Sequence, residues 1–164
     1  MRMLETGEID LMSDISYTPE REERMLFSAL PMGTEDYCLF ISPNNRDITL
    51  ADASSLNGKR VAVSKGSIQT DLFKEWERQQ GIETNLIEVT YPEDVTLQMV
   101  ETGELDGYVT VDTFVDPKRA APLCRIGSSD FYFAVTNSRP DLQAELNDAM
   151  NRIRDENRYY NVQM

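Results

Sequence analysis

Histidine is absent from this chain of 164 residues, and cysteine is nearly so, with two residues. The missing histidine removes the commonest general base and the commonest metal ligand of proteins. The two cysteines, Cys38 and Cys124, lie too far apart in sequence to form a metal-binding motif. We therefore expect no metal and no cofactor. One disulfide is possible, but two free core thiols are the preferred interpretation.

The chain also lacks a long apolar run and an excess of positive charge. No apolar stretch approaches the ~20 residues of a membrane span. No signal peptide is recognisable, because Met1 and Arg2 lead straight into a charged segment. The net charge of −13 argues against binding to nucleic acid or to anionic membrane surfaces. Hydrophobic residues make up 40% of the chain, enough to bury a core.

One eight-residue motif occurs twice. Residues 3–10 read MLETGEID and residues 99–106 read MVETGELD. Each copy predicts the end of a helix, a glycine in the left-handed conformation, and then a strand. Both presumed strands end on polar residues, and in open α/β sheets this end faces the ligand crevice. The repeat indicates two related α/β lobes; the alternative is chance similarity around a common helix-turn-strand element.

The remaining pattern predicts an α/β protein. A continuous apolar run predicts a strand at residues 37–42, and residues 60–64 predict a buried strand. Further strands are predicted at residues 85–91 and 105–111. Shorter strands are predicted at residues 9–13, 123–126 and 131–136, and helices at residues 69–80, 92–101 and 140–158. Thr18 followed by Pro19 predicts the start of a short helix. The alternation of strands and helices between residues 60 and 111 indicates a largely parallel sheet.

The position of the first motif copy suggests an incomplete lobe. Two residues precede this copy, whereas most of a lobe precedes the second copy. If the lobes are related, the chain begins in the middle of lobe one, without its first strands and helices. Such a lobe would expose apolar surface and a strand edge, so we predict that it recruits either a second copy, as a homo-oligomer, or a separately supplied N-terminal segment.

Several motifs in combination resemble one protein family. Residues 5–10, then Thr18-Pro19-Glu20-Arg21, then Phe27-Ser28 resemble the family 3 bacterial extracellular solute-binding proteins. These are type II periplasmic binding proteins for polar amino acids and similar solutes. Residues 56–67, 103–106 and 131–142 resemble later motifs of the same family, so the resemblance covers nearly the whole chain.

The resemblance implies a two-lobed fold, with the N-terminal part of lobe one missing. Residues 1–38 would be partial lobe one, and residues 39–129 would be lobe two. Residues 130–164 would be the return crossing and the C-terminal helix of lobe one. The ligand of this family binds in the cleft between the lobes.

The family's carboxylate clamp falls on Arg21. The arginine of its Thr-x-x-Arg motif holds the α-carboxylate of the ligand, and a planar guanidinium suits this role because it makes two parallel charge-assisted hydrogen bonds. The alternative is a surface arginine paired with Glu22 or Glu23.

Four more residues fall on the family's binding positions. Ser16 would offer a hydroxyl, and Asp14, where a small neutral residue is common, could meet a ligand amine. Ser67 and the amide of Ile68 match a carboxylate-binding loop at a helix N-terminus. The alternatives are a turn cap for Asp14 and an ordinary N-cap for Ser67.

The family's ammonium anchor is displaced in this chain. The acidic residue normally lies five positions after the aspartate of Gly-Glu-x-Asp, but Val111 occupies that position and Asp112 follows it. A shift of one residue turns a strand side chain to the other face. Asp112 is therefore expected to hold a ligand ammonium only if a bulge restores its direction.

The resemblance implies a non-enzymatic binding protein that acts outside the cytoplasm, in the periplasm or extracellularly. We expect an amino acid or another small carboxylate as ligand, and a membrane signalling protein of the histidine kinase or diguanylate cyclase type as the context, with tethering to the membrane. The alternative context is the receptor of an ABC amino-acid importer. A dehydratase on the same fold is a remote alternative because the chain lacks histidine, and a cytoplasmic regulator domain would lack the motifs seen here.

Overall fold

The computed structural model describes residues 1–156, except for the side chain of Phe114. These residues form two compact units. Unit 1 comprises Met1–Glu35 and the chain from Ser129 onward, and unit 2 comprises Asp36–Ser128. The predicted lobe boundaries, 1–38, 39–129 and 130–164, stay a prediction, and the predicted helix end at residue 158 lies outside the described residues. Within residues 1–156, no helix combines the length and the apolar character that crossing a membrane requires.

Residues 1–156 contain seven strands and five α-helices. The strands are β1 (Leu11–Ser16), β2 (Met25–Phe27), β3 (Gly33–Ile41), β4 (Arg60–Ser64), β5 (Asn85–Val89), β6 (Gly107–Val111) and β7 (Ala121–Thr136). The helices are α1 (Arg2–Glu5), α2 (Pro19–Glu22), α3 (Gln69–Gln80), α4 (Glu93–Thr102) and α5 (Pro140–Glu156). Short 3-10 turns lie at Ala53–Leu56 and Asp112–Phe114.

In unit 1, the C-terminal half of β7 lies between β1 and β2 and pairs antiparallel with both. A small core under these strands contains Leu4, Ile15, Met25 and Ala134. Helix α5 buries Met150. The described residues provide no strand for the outer edge of β1. The homo-oligomer expected from an open edge stays a prediction.

In unit 2, the strand order is β3-β6-β4-β5. Strand β4 runs parallel to both β5 and β6, while β3 is antiparallel to β6. Helix α3 packs Phe73 and Trp76 into one hydrophobic cluster, and helix α4 packs Leu97 and Val100 into the other. Residues 61–63 of β4 are fully buried, as expected for a parallel strand covered on both faces. The predicted α/β class, with a largely parallel sheet, is confirmed.

The two copies of the repeated motif adopt the same local structure. The glycine of the first copy has φ 76°, and that of the second has φ 82°. The amide of Ile9 donates to the carbonyl of Met3 at 3.2 Å, and the amide of Leu105 donates to that of Met99 at 3.0 Å. This pattern closes a helix C-terminus, because it satisfies carbonyls that have no partner inside the helix. The predicted helix end and left-handed glycine are confirmed in both copies.

The aspartate that ends each motif is held by an arginine of the same unit. In unit 2, Asp106 accepts hydrogen bonds from the backbone amide and Nε of Arg60, at 2.8 and 3.1 Å. Arg60 also donates to the carbonyl of Gly103 at the end of α4. In unit 1, Asp10 lies 3.5 Å from Arg139, and its carbonyl accepts from the amide of Thr136. These contacts join the turn to the neighbouring strand in both units.

The prediction of separate strands at residues 123–126 and 131–136 is wrong, because β7 continues through both. Residues 127–130 are polar or glycine and suggested a break. In unit 1, however, Thr34 Oγ1 donates to Asp130 Oδ1 at 2.6 Å. In unit 2, Arg125 Nε donates to Asp36 Oδ1 at 2.7 Å. Strand β3 thus accompanies β7 on both sides of the polar segment and supports its extended conformation.

Other elements follow the sequence pattern with small differences. The bounds of β4 and α3 agree with the prediction. Strand β1 begins at Leu11 instead of residue 9, because the turn occupies Ile9 and Asp10. Both cysteines are free thiols, as preferred from the sequence. Burial raises the pKa of Cys124 to about 11, so this thiol is a poor nucleophile at neutral pH.

We predict that Asp106→Asn destabilises the fold in a pH-dependent way. Burial opposes ionisation of Asp106, but the hydrogen bonds and charge of Arg60 outweigh it and hold the pKa of the carboxyl below its ordinary value. A depressed pKa contributes stability that is present above the unfolded-state pKa and is lost as pH falls through the folded-state pKa. The variant should lose about 2 kcal/mol of unfolding free energy at neutral pH, the scale of a charged hydrogen bond.

Urea denaturation between pH 7 and pH 3 measures this difference. The difference in unfolding free energy between wild type and Asp106→Asn should become smaller below about pH 4, where the carboxyl of the unfolded state protonates. Glu104→Gln is the matched control, because it removes a negative charge from an exposed neighbour. A difference in unfolding free energy that does not depend on pH, or an equal difference for Glu104→Gln, would contradict the stabilising role of the ionised Asp106 carboxyl.

Candidate functional site

Arg21 lies in unit 1, on helix α2 just after β1. Thr18 caps this short helix, since its Oγ1 accepts a hydrogen bond from the amide of Arg21 at 3.2 Å, as predicted from Thr18-Pro19. Arg21 is half-buried, and its Nη1 donates to the carbonyl of Ser16 at 2.8 Å. The cap and this hydrogen bond hold the side chain in place.

Arg21 makes no ion pair with any carboxylate among the described residues. The alternative pairing with Glu22 or Glu23 is not found; Glu22 instead accepts a hydrogen bond from the hydroxyl of Tyr17. A guanidinium has five N–H donors, and the carbonyl of Ser16 uses one nitrogen of Arg21. The remaining donors are available for a planar anion.

Asp14 lies in a β-bulge of β1. Met12 pairs with Ala134 and Ile15 with Tyr132, so two residues of β1 face one residue of β7. Asp14 has φ 60°, a left-handed conformation found at no other non-glycine among the described residues. Aspartate tolerates it better than most residues, but the conformation still costs free energy and occurs often at functional sites. The exposed carboxylate accepts from Ser13 Oγ at 2.8 Å within the bulge, and not from the following turn.

Ser16 is half-buried at the end of β1. Its carbonyl accepts from Arg21, while its hydroxyl makes no hydrogen bond within residues 1–156. One segment of unit 1 therefore carries a carboxylate, a free hydroxyl and a guanidinium. The structure joins Arg21 to Ser16, while the described contact of the Asp14 carboxylate is with Ser13.

In unit 2, Ser67 and Ile68 lie in the loop between β4 and α3. Ser67 Oγ donates to the carbonyl of Ser64 at 2.8 Å, so the ordinary N-cap interpretation of Ser67 is wrong. Ile68 is the N-cap residue of α3, and no side chain caps this end. The amides at the start of α3 consequently find no acceptor in the described part of the chain. Free amides and the helix dipole favour an anion here.

Thr70, in the first turn of α3, was not identified from the sequence. Its Oγ1 is the buried side-chain oxygen that has no hydrogen-bond partner among the described residues, and the residue is 8% exposed. A buried hydroxyl without a partner costs free energy, which is recovered when a ligand or water supplies one. The available sequence signal was a threonine shortly after the Gly66-Ser67 loop. Because amphipathic helices often carry threonine, this signal did not single Thr70 out.

Polar groups also lie at the carboxyl ends of the parallel strands of unit 2. The hydroxyls of Ser64 and the buried Tyr108 are 3.2 Å apart, and Ser64 ends β4. Thr110, buried on β6, donates to Glu93 Oε1 at 2.7 Å. The loop with Ser67 continues from the same end of β4. This is the edge of an open α/β sheet where ligands generally bind.

Asp112 follows β6 directly and begins a 3-10 turn. The pairing of β6 with β3 keeps one register from Tyr108 to Val111, so no bulge precedes Asp112 in this strand. The turn, and not the strand, sets the direction of its exposed carboxylate. Val111 pairs with Tyr37, so Asp112 follows β6 beside the middle of β3. Burial and then the charge of Asp112 raise the pKa of Cys38 on that strand. No cluster of His, Cys, Asp and Glu suited to a metal ion occurs in residues 1–156.

Solved structures with the same fold cover almost all of this chain. A probable amino-acid ABC transporter extracellular-binding protein from Bacillus subtilis is 17% identical, with a TM-score of 0.74 over 94% of this chain and 69% of that chain. An ancestral amino acid-binding protein, a precursor of cyclohexadienyl dehydratase, is 21% identical, with a TM-score of 0.76 over 97% and 69%. A histidine kinase sensor domain with similarity to periplasmic binding proteins is 19% identical, with a TM-score of 0.73 over 96% and 69%.

Sequence comparison identifies the family. No curated protein sequence matches the chain. The family model of the bacterial extracellular solute-binding proteins, family 3, matches residues 1–164, and the fold and the motifs around Arg21 and Asp106 agree with it. The chain belongs to the bacterial extracellular solute-binding proteins, family 3.

Proposed function

We propose that this protein binds a small carboxylate, most simply an amino acid, outside the cytoplasm. The observation that carries the proposal is the guanidinium of Arg21, a half-buried residue, which donates to the carbonyl of Ser16 and has no carboxylate partner among the described residues. A chain of net charge −13 has many carboxylates to offer. An arginine kept apart from them in a fixed position is suited to an incoming carboxylate.

We propose that neighbouring groups on the same segment complete recognition in unit 1. The hydroxyl of Ser16 is free to bond a polar ligand atom. The carboxylate of Asp14 is exposed on a strained bulge, close in sequence to the clamp, and is suited to a ligand ammonium. A carboxylate and a guanidinium on one segment match the two charges of an α-amino acid.

We propose that unit 2 uses the start of α3 for the same class of ligand. Its free amides, including that of Ile68, and the hydroxyl of Ser67 would bind carboxylate oxygens, and Thr70 Oγ1 would gain the partner it lacks. Asp112, exposed in the turn after β6, would meet an ammonium group.

The proposed context is a sensing domain tethered to a membrane signalling protein of the histidine kinase or diguanylate cyclase type. The likeness to a histidine kinase sensor domain supports it, and so does the departure from the importer pattern at Asp14 and Asp112. The receptor of an ABC amino-acid importer is the second candidate, supported by the likeness to the Bacillus subtilis protein. The likeness to a dehydratase precursor keeps an enzyme as the remote alternative.

Two experiments test these proposals. Calorimetric titration of the full-length domain with each L-amino acid and with simple carboxylates should give saturable binding for at least one compound, and no binding to any of them would refute the ligand class. The reading frame on both sides of the gene segment separates the contexts. A membrane helix followed by a kinase or cyclase domain supports the sensor, and a lipid-attachment cysteine ahead of the domain supports the importer.

We predict that Arg21→Ala weakens binding of the best carboxylate ligand by about 2–3 kcal/mol, the scale of a charge-assisted pair. Arg24→Ala is the matched control, because Arg24 is an exposed neighbour whose contact with Glu5 is long, at 3.9 Å. Calorimetry should show affinity reduced for the first variant alone. Equal affinities in the two variants would remove Arg21 from the site.

We predict that Thr70→Val has opposite effects on stability and binding. Valine has the shape of threonine without the unpaired hydroxyl, so the ligand-free protein should gain about 1 kcal/mol of unfolding free energy. Ligand affinity should fall, because the ligand loses a hydrogen bond. In the control Thr96→Val, a buried threonine loses its contact with the carbonyl of Pro92, and stability should decrease. Unchanged affinity in Thr70→Val would exclude the hydroxyl from binding.

We predict that Asp112→Asn discriminates between ligands. It should weaken an α-amino acid several-fold, while the same acid without its amino group should bind as before, because only the ammonium loses its charged partner. The control is Glu88→Gln, an exposed carboxylate on β5. Calorimetry with both ligands provides the measurement, and equal loss for both would place Asp112 outside the ammonium site.

A further inference from the structure

Three aromatic side chains from different elements meet in unit 1. Tyr17 follows β1, Phe27 ends β2, and Tyr132 lies on β7. The ring centroids are 5.3 Å apart for Tyr17 and Phe27, 5.9 Å for Phe27 and Tyr132, and 6.4 Å for Tyr17 and Tyr132. The corresponding planes are inclined by 66°, 86° and 60°. Each pair has edge-to-face geometry, so the three rings form one aromatic cluster at the wall of unit 1.

These rings line a pocket of about 420 Å³ that lies wholly within unit 1. This volume falls within the range of small-molecule sites. Met25 and Leu26 of β2 add further apolar wall, and Glu22 supplies the carboxylate. None of the residues proposed for the carboxylate ligand lines this pocket. It is a separate candidate site.

Hydrogen bonds to the backbone hold the walls in place. Gln143 of α5 donates from Nε2 to the carbonyl of Phe27 at 2.8 Å, and Asn147 accepts from the amide of Ala29 at 2.8 Å. Both side chains line the pocket, and Gln143 Nε2 and Asn147 Oδ1 are hydrogen-bonded to the backbone of its walls. A pocket whose walls are held in this way binds a ligand with little ordering cost.

The pocket carries one negative charge and no positive one. Glu22 is the single ionisable acid in its lining, and no lysine or arginine lines it. The hydroxyl of Tyr17 donates to one oxygen of Glu22 and leaves the other oxygen available. Glu22 forms no ion pair within the described residues. The charge pattern therefore favours a cation, and the net charge of −13 raises the local concentration of cations.

We propose that this pocket binds an organic cation of the alkylated ammonium class, such as a quaternary ammonium compound. The faces of aromatic rings attract cations, and several rings around one site recognise a quaternary ammonium group. The methyl groups of such a cation pack against Phe27 and Tyr132, and its charge faces Glu22.

Calorimetric titration of the intact chain with choline chloride tests the proposal. The neutral comparison compound is 3,3-dimethylbutan-1-ol, which has the shape of choline with carbon in place of the charged nitrogen. Choline should bind saturably, and the alcohol should bind at least tenfold more weakly. Equal binding of both would show an apolar pocket without cation selectivity, and no binding of choline would refute the site.

Three variants localise the binding. Glu22→Gln keeps the hydrogen-bond acceptor for Tyr17 and removes only the charge, so choline affinity should fall several-fold. Tyr132→Leu removes one wall and should reduce affinity about tenfold. The control is Tyr91→Leu, because Tyr91 is 56% exposed in unit 2 and should leave binding unchanged.

Glu22 is exposed, so its substitution is not expected to unfold the chain, and circular dichroism verifies this. If Tyr132→Leu unfolds, the choline affinity of Glu22→Gln still tests the proposal. Unchanged choline affinity in Glu22→Gln would overturn the proposal. Choline has no carboxylate, so its binding does not depend on the proposed role of Arg21, and the two proposals can fail independently.

Discussion

The turn that closes each repeated motif is the constraint on which both units depend. A glycine with positive φ ends the helix, and the aspartate three residues later is held by an arginine from a distant part of the same unit. In unit 2, the amide of Asp106 also donates to the carbonyl of Arg60. The backbone and the side chain of Asp106 therefore both bind Arg60 at the start of β4. This anchor sets the register of β6 beside β4. As a result, the hydroxyls of Tyr108 and Ser64 meet at the carboxyl ends of the strands, next to the loop that begins α3.

The candidate site depends on polar groups that the fold leaves without partners. Most arginines with described contacts are paired with carboxylates; Arg119, for example, binds both Asp94 and Glu101. Arg21 is half-buried and bonded to a carbonyl instead. Thr70 and the amides at the start of α3 are similar, since burial and helix geometry leave them unsatisfied. Such groups cost stability in the empty protein, and the cost is recovered when a complementary ligand binds.

In the proposals above, the segment from Ser16 to Glu22 contributes to two sites, one that binds an anion and one that binds a cation. Ser16 and Arg21 form a polar arrangement suited to an anion, while Tyr17 and Glu22 belong to the aromatic pocket. The Thr18 cap fixes the turn between them, so both sites share one rigid support. A ligand at either site would therefore stabilise the same part of unit 1.

The sequence by itself determined the family, the fold class and the elements whose signals are local. Apolar periodicity and a following glycine placed α3 at residues 69–80, Thr18-Pro19 marked the start of α2, and the repeated motif marked two helix ends. These features depend on neighbours within a few residues along the chain. The role of Arg21 was also derived from its motif and stays a prediction of function.

Only the tertiary structure decided the features that need distant partners. Strand β7 continues through its polar segment because β3, nearly a hundred residues earlier, lies beside it, as the contact of Thr34 with Asp130 shows. The bulge at Asp14 is defined by the pairing of β1 with β7, which lies more than a hundred residues later. The unpaired hydroxyl of Thr70 and the meeting of Tyr17, Phe27 and Tyr132 likewise depend on packing between segments far apart in the sequence. A local pattern carries no information about which distant groups will satisfy a hydrogen bond or close a pocket, because that depends on how the whole chain packs.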